Sequence, residues 1–356
     1  MINNLIKKGL ALAIILLFIC SGVVSAFNTD NKTDPLNNGN WLYVGGSGEG
    51  NYSSIQDAID NATDGDTVFV YDDSSPYFEN IVVNKSINLS GENKETTIIS
   101  GNGTEVISPV VLISSSFVKI SGFEIINGSD GINIESNKNS IIENNTIIDN
   151  FITNNNYGLS MSGSNNNNIV DNIIIMNKWD GINMYYCTSN TIIGNDITSN
   201  EDCGVILNTF SNYNIIQNNT IQNNYFGIVL AEVCLYNVIK GNNISKNRNE
   251  SMILAISHRN IIESNIIENI IIQGYKNLIR KNNFIGNIKH MRSAGGRNIW
   301  DANYWDDWIG LKFKWPMVQK IPKILLCWIL PLGVKYNIPY FSFDWHPAKE
   351  PYHIPT

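Results

Sequence analysis

The chain has 356 residues, 32 of them acidic and 24 basic, for a formal charge of −8. That balance excludes the basic face on which nucleic-acid binding rests. Five cysteines and four histidines, none at paired metal-ligand spacing, point to no metal centre by themselves.

Residues 1–26 read as a secretory signal. Lys7 and Lys8 precede the apolar run Leu10–Ile19, and Val24-Ser25-Ala26 offers a small-residue cleavage site. The run is short for a retained span. Its removal deletes two lysines and takes the charge to −10. A secreted or surface-attached protein is expected, touching membrane only through this segment or the tail. Residues 27–40 are polar and form a linker. The roughly eleven Asn-x-Ser/Thr sequons, Asn51, Asn127 and Asn218 among them, fit an exported surface.

Residues 41–64 form an N-terminal cap. Leu42–Val44 is a strand, and Gly45–Gly48 a turn. Ser53 or Ser54 caps a helix whose Ile55, Ala58, Ile59 and Ala62 share one face. From residue 65 to 299 the chain is a repeat. Asn-x-Ile (Phe in the last copy) recurs at Asn145, Asn172, Asn195, Asn219, Asn242, Asn265 and Asn282. Gly-apolar-x-apolar recurs at Gly131, Gly158, Gly181, Gly204 and Gly227, the last four spaced 23 residues apart. A third phrase, Asn before two apolar residues, recurs at Asn139, Asn168, Asn190, Asn214, Asn237, Asn260 and Asn277. A fixed period of this length means a stacked array.

Each phrase is short, rich in β-branched Ile and bounded by Asn, Gly, Ser or Asp, which makes it a strand between turns. Three strands and three turns per ~23 residues describe one coil of a parallel β-helix with rungs ~4.8 Å apart. The expected fold is all-β, a single-stranded right-handed parallel β-helix of about ten coils. It has an N-terminal helical cap and a Trp-rich C-terminal cap or tail over residues 300–356. Ile147, Ile174, Ile197, Ile221, Ile244 and Ile267 should form one interior column, and Ile132, Leu159, Ile182, Val205 and Ile228 another. Turn asparagines would take left-handed backbone geometry and bond to one another between coils.

These phrases, with Ser-Ile-Gln-Asp-Ala-Ile at 54–59 and Gly-Asp-Thr-Val-Phe-Val at 65–70, resemble the repeats of the NosD-like β-helix family over residues 41–310. The resemblance implies a secreted or surface protein. The family includes carbohydrate-binding and sugar-hydrolysing members, and an accessory protein of copper-site maturation. No Met/His cluster suits copper here, so that part of the name does not carry over. The segment 301–310, Asp-Ala-Asn-Tyr-Trp-Asp-Asp-Trp-Ile-Gly, resembles the one that closes many members. Six of the eight tryptophans lie from Trp300 onward. Pro316–Gly333 is apolar but broken by prolines, a poor spanning helix.

The chemistry is concentrated ahead of the repeat glycines. Asp130, Tyr157, Asp180, Cys203 and Phe226 stand one position before them; Ser129, Asn156, Trp179, Asp202 and Tyr225 stand two before. Stacked at ~5 Å, this row offers aromatic faces for sugar rings and carboxylates for sugar hydroxyls. The carbohydrate-binding candidates are Asp130, Tyr157, Trp179, Asp180, Asp202, Tyr225 and Phe226. Turn placement accounts for the same residues, since Asp before Gly is a common turn pair. Asp180 and Asp202 are the candidate catalytic pair, at a separation closer to a retaining than an inverting glycosidase. Lys178 is the nearest cation, and no lyase or polygalacturonase motif is complete. Asp306 and Asp307 are candidate Ca²⁺ ligands; no other cofactor is expected. His346 and His353 flank Asp344 without fixed ligand spacing. The expected partner of this monomer is an extracellular polysaccharide or glycoconjugate, with a hydrolase or lyase on the same face, or a purely structural surface protein, as alternatives.

Overall fold

The structure is a computed structural model and describes residues 39–101, 108–136, 140–286, 292–293, 298–307, 323–329, 338–344 and 346–354. The signal segment, most of the linker, Asn139, Trp308 and most of the proline-broken tail lie outside the described residues.

The chain winds through three sheets of 14, 11 and 10 strands, visited in turn by every coil and parallel throughout except for an antiparallel hairpin at the end of the first. The first begins with Trp41–Val44 and Thr67–Val70, the second with Tyr77–Phe78, the third with Ile81–Val83. The result is an all-β, right-handed parallel β-helix of about eleven turns, the strand count of the second sheet. Strands stay short because each coil must turn three corners. Their inward residues form fully buried apolar columns, such as Ile132, Leu159, Ile182, Val205 and Ile228 in the third sheet.

One short helix, Ile55–Asn61, packs Ile55, Ala58 and Ile59 against the first strands. Ser54 is its N-cap, and its side chain accepts from the Asp57 amide at 3.3 Å. The Glu79 carboxylate accepts the first helical amides, Ile55 and Gln56, at 2.9 Å. The Lys85 ammonium donates to the carbonyls of Ile59, Asp60 and Ala62 at 2.6–2.9 Å. Both ends of the helix macrodipole thus meet the opposite charge.

Corners are built by a two-residue rule. The first residue takes left-handed backbone geometry and faces water; the next is a buried asparagine. In one coil these pairs are Tyr213–Asn214, Asn218–Asn219 and Asn223–Asn224, with φ of 58°, 54° and 58° at the first members. Turn asparagines take left-handed backbone geometry where they precede the ladder, as at Asn154, Asn166, Asn218 and Asn223, and the ladder asparagines themselves do not. The preceding residue does so, which leaves the asparagine free to span coils.

Three asparagine ladders result. At Asn219 the side-chain amide donates to the carbonyls of Ile192 and Gln217 and to the Asn242 carboxamide, at 2.9, 3.0 and 3.0 Å. Its carboxamide oxygen accepts the Asn195 backbone amide at 2.9 Å and side chain at 3.0 Å. The ladder satisfies backbone groups that a corner would otherwise bury unpaired. It ends at Asp344, fully buried, whose carboxylate accepts from the Asn303 backbone and side chain and from the Trp305 indole. An acceptor-only group is a natural terminus, because unlike asparagine it carries no amide protons that would need an acceptor in a further coil. Asp344 closes a hairpin of Lys323–Ile329 with Ile338–Asp344, beside Trp300 and Trp305, which stack near Phe284.

The ladders correct two sequence assignments. Asn145 belongs with Asn167 and Asn190, while Asn150 precedes Asn172 and Asn195. Ile147 therefore stacks on Ile169 in the first sheet, and Ile152, stacked on Ile125, takes its place in the column that runs on through Ile174 and Ile197. In the third phrase Asn167, not the exposed Asn168, occupies the ladder. The second slip lies in the run Asn165–Asn168, where four adjacent asparagines leave the phase open, and the first has a different cause. Asn144 to Asn155 contains three corner pairs five residues apart, so the same local phrase fits two corners.

Candidate functional site

The corner between the second and third sheets carries the repeat glycines. These have no room for a side chain. A Cβ on Gly181 would lie 2.6 Å from the Ile197 methyl, 2.7 Å from the Gly204 carbonyl and 2.8 Å from the Asn200 amide. The two residues ahead of each glycine lie in register from rung to rung, with Trp179, Asp202 and Tyr225 exposed and Asp180 and Cys203 buried. The Trp179 amide donates to Asn156 at 2.7 Å, Asp202 to Trp179 at 3.1 Å and Tyr225 to Asp202 at 2.9 Å. The next position aligns Asp130 with Tyr157 and Cys203 with Phe226, while the Gly158 amide reaches the Asp180 carbonyl at 3.0 Å. The structure thus brings all seven carbohydrate-binding candidates onto one corner.

The row alternates rings with carboxylates. Trp179 and Tyr225 are 42% and 43% exposed. Tyr157 meets Trp179 edge-on at 4.8 Å, and Tyr225 meets Phe226 at 4.7 Å. Asp130 accepts from Ser129 at 2.8 Å and from Ser160 on the next rung. Asp180 is only 6% exposed; it accepts the Cys203 amide and the Asn183 side chain, each at 3.0 Å. Beside the row a cavity of about 320 Å³ is lined by Asn127, Asn154, Asn155, Asn156, Met176, Lys178 and Glu201.

Burial pushes the Asp180 carboxyl above its ordinary range, and the Asp202 charge adds to this against two opposing hydrogen bonds. Burial likewise raises the Tyr157 phenol, followed by the charges of Asp180, Asp130 and Asp202. Asp202 itself is exposed. One corner therefore presents a desolvated carboxyl next to a solvated carboxylate, the difference in environment that separates acid from base roles.

Among the described residues, one group of three metal-capable side chains has its ligand atoms within 4.8 Å of one another: Asp180, Asp202 and Cys203. Burial and then the two carboxylates hold the Cys203 thiol in its protonated form. The other candidates stay apart. Asp306 accepts the Gly286 amide at an exposed turn, with Asp307 beside it. His346 bonds to Asp301 at 2.8 Å, and His258 lies stacked on Tyr275 at 3.9 Å. Cys187, Cys203 and Cys234 are free and buried; Cys187 and Cys203 sit on different corners.

A feature not anticipated from sequence occupies the next corner, between the third and first sheets. Tyr185, Tyr186, Phe210, Tyr213 and Tyr236 are all exposed there. Tyr213 and Tyr236 stack at 5.0 Å, 5° from parallel. The available signal was the position itself: Tyr213 and Tyr236 each directly precede a ladder asparagine, where Asn, Ser or Gly is the easy choice.

The fold defines the class: a parallel β-helix protein with a pectate-lyase-like fold. A pectate lyase, Pel9A, superposes with a TM-score of 0.55 over 75% of this chain and 80% of its own, at 16% identity. The Dettilon tailspike protein gives 0.51 over 74% of this chain and 62% of its own, also at 16%. No curated protein matches the chain. The chain belongs to the NosD family, described as periplasmic copper-binding protein, whose model matches residues 59–310. Copper favours imidazole, thioether and thiolate ligands. The clustered donors here are two carboxylates and a thiol kept protonated by burial, a set that does not fit that metal. No helix among the described residues is long and apolar enough to cross a membrane.

Proposed function

We propose that the protein is an exported polysaccharide-binding β-helix whose ligand lies on the corner ahead of the third sheet. The observation that carries this reading is the in-register row of Tyr157, Trp179, Tyr225 and Phe226 with Asp130, Asp180 and Asp202 on successive rungs. Exposed ring faces cover the apolar faces of pyranoses, and carboxylates accept their hydroxyl protons. Backbone rungs hold the row rigid, so little ordering entropy opposes binding. The fold likeness to a pectate lyase supports a polysaccharide as the ligand class. The signal-like first 26 residues support export.

A second reading, glycoside hydrolysis, is favoured by one observation. The ligand atoms of Asp180 and Asp202 lie within 4.8 Å, near the ~5–5.5 Å of a retaining carboxyl pair. The buried Asp180 would serve as the acid and Asp202 as the nucleophile. Ca²⁺ at Asp306 and Asp307 belongs to neither reading.

Electrophoresis through gels cast with polysaccharide tests both. Retarded migration without loss of polysaccharide supports binding. A cleared zone around the band, abolished by Asp202→Ala, assigns hydrolysis. Neither effect, with neutral and acidic glycans and with or without Ca²⁺, leaves a structural surface protein and ends the glycan reading.

A further inference from the structure

The charges on this corner bear on which polysaccharide it accepts, given the binding reading above. Asp130, Asp180, Glu201, Asp202 and Glu250 lie on its rungs, against three cations, Lys178, Lys246 and Arg248. Arg248 is turned back on the protein: its guanidinium donates to the carbonyls of Asn200 and Glu201, both at 3.2 Å. The Lys178 ammonium lies over the Trp179 ring, 5.9 Å from its centre. The rings and the carboxylates share the same rungs, so a sugar stacked on Trp179 or Tyr225 lies against Asp202, and one at Tyr157 lies against Asp130. The Tyr157 phenol registers the charges of Asp180, Asp130 and Asp202 together, so three carboxylates reach one point of the row.

We propose that this corner takes an uncharged polysaccharide and rejects polyuronates, unlike the pectate for which one protein of similar fold, the pectate lyase Pel9A, is named. A neutral sugar offers hydroxyl donors to every carboxylate in the row. A uronate brings an anionic oxygen to each rung, where the acceptors already present cannot donate to it. Like charges a few ångströms apart at a protein surface weaken binding by about tenfold, and salt screens the effect.

The test uses polymer pairs that differ in charge and not in backbone: hydroxyethylcellulose against carboxymethylcellulose, and methyl-esterified against de-esterified polygalacturonan. Dissociation constants come from affinity electrophoresis in EDTA, so no divalent cation bridges the two sets of carboxylates. The uncharged member of at least one pair is expected to bind about tenfold more tightly at low salt, with the gap narrowing at roughly 0.5 M salt. Asp202→Lys, at an exposed side chain, should raise the ratio of charged to uncharged binding. Equal or tighter binding of the charged member at low salt, or a ratio that Asp202→Lys leaves unmoved, overturns the inference while the binding reading stands. Binding to neither member of any pair removes both together.

Discussion

Asn218 and Asn219 are adjacent asparagines with opposite roles, and replacing each by alanine separates them. Asn219 makes five side-chain hydrogen bonds across three coils, at 2.9–3.0 Å. Alanine there leaves the Asn195 backbone amide buried without a partner and removes the bond to Asn242. At ~1–3 kcal/mol for the orphaned amide and ~1 kcal/mol for the lost bond, Asn219→Ala should cost about 2–4 kcal/mol. The loss spreads to the coils on both sides, because a solenoid is stabilised through nearest-neighbour interfaces. Asn218 is exposed at φ 54° and holds only the left-handed turn. Its replacement should cost about 1 kcal/mol. Urea unfolding followed by far-ultraviolet circular dichroism reads both values. A cost for Asn219→Ala no greater than that for Asn218→Ala would refute the ladder as a principal source of stability.

Gly181→Ala forces a Cβ to within 2.6–2.8 Å of three neighbouring atoms and should destabilise by about 1–3 kcal/mol; a neutral thermal-unfolding result would show that the corner can relax. Asp180 holds its proton longer in the folded chain than its ordinary value of 3.8 allows. Its stabilising contribution is therefore full below that value and is lost as pH rises through the folded one. Asp180→Asn should flatten the fall in stability above pH 3.8, and an unchanged profile counts against the burial argument. Burial raises Cys203 and Cys187 and pushes Cys234 up to about 12, so a thiol reagent should modify these three only after denaturation; rapid labelling of the native protein would contradict this. Copper in either oxidation state should remain fully available to a competing chelator, and stoichiometric uptake abolished by Cys203→Ser would overturn the donor argument.

The stacked fold was legible because period, strand length and β-branched content agreed at every coil. The expected strand Leu42–Val44 lies within a residue of the one observed, Trp41–Val44. The row ahead of the glycines was legible for the same reason: glycine marks the corner at which the neighbouring backbone comes too close for a side chain. Phase was lost where corners repeat locally. Asn145 and Asn150 begin near-identical phrases, and only the inter-coil bonds tell which ladder each joins. Nor does sequence distinguish a buried carboxylate from an exposed one two rows away. Asp180 and Asp202 both read as turn acids, yet the Cys203 amide and Asn183 draw one inward while the other stays in water. The tyrosine corner was missed because left-handed positions are expected to hold small or polar residues, a preference of only ~1–2 kcal/mol that a surface function can override.

The most direct test compares glycan dissociation constants for the wild-type chain, a Trp179→Ala/Tyr225→Ala variant and a Tyr213→Ala variant, by calorimetry with a polysaccharide that retards the protein. Two lost ring contacts at ~0.5–1.5 kcal/mol each should weaken the first variant by about 5- to 150-fold, while Tyr213→Ala, on the other corner, binds as the wild type does. Undiminished binding by the double variant, or a loss confined to Tyr213→Ala, would place the ligand elsewhere on the solenoid.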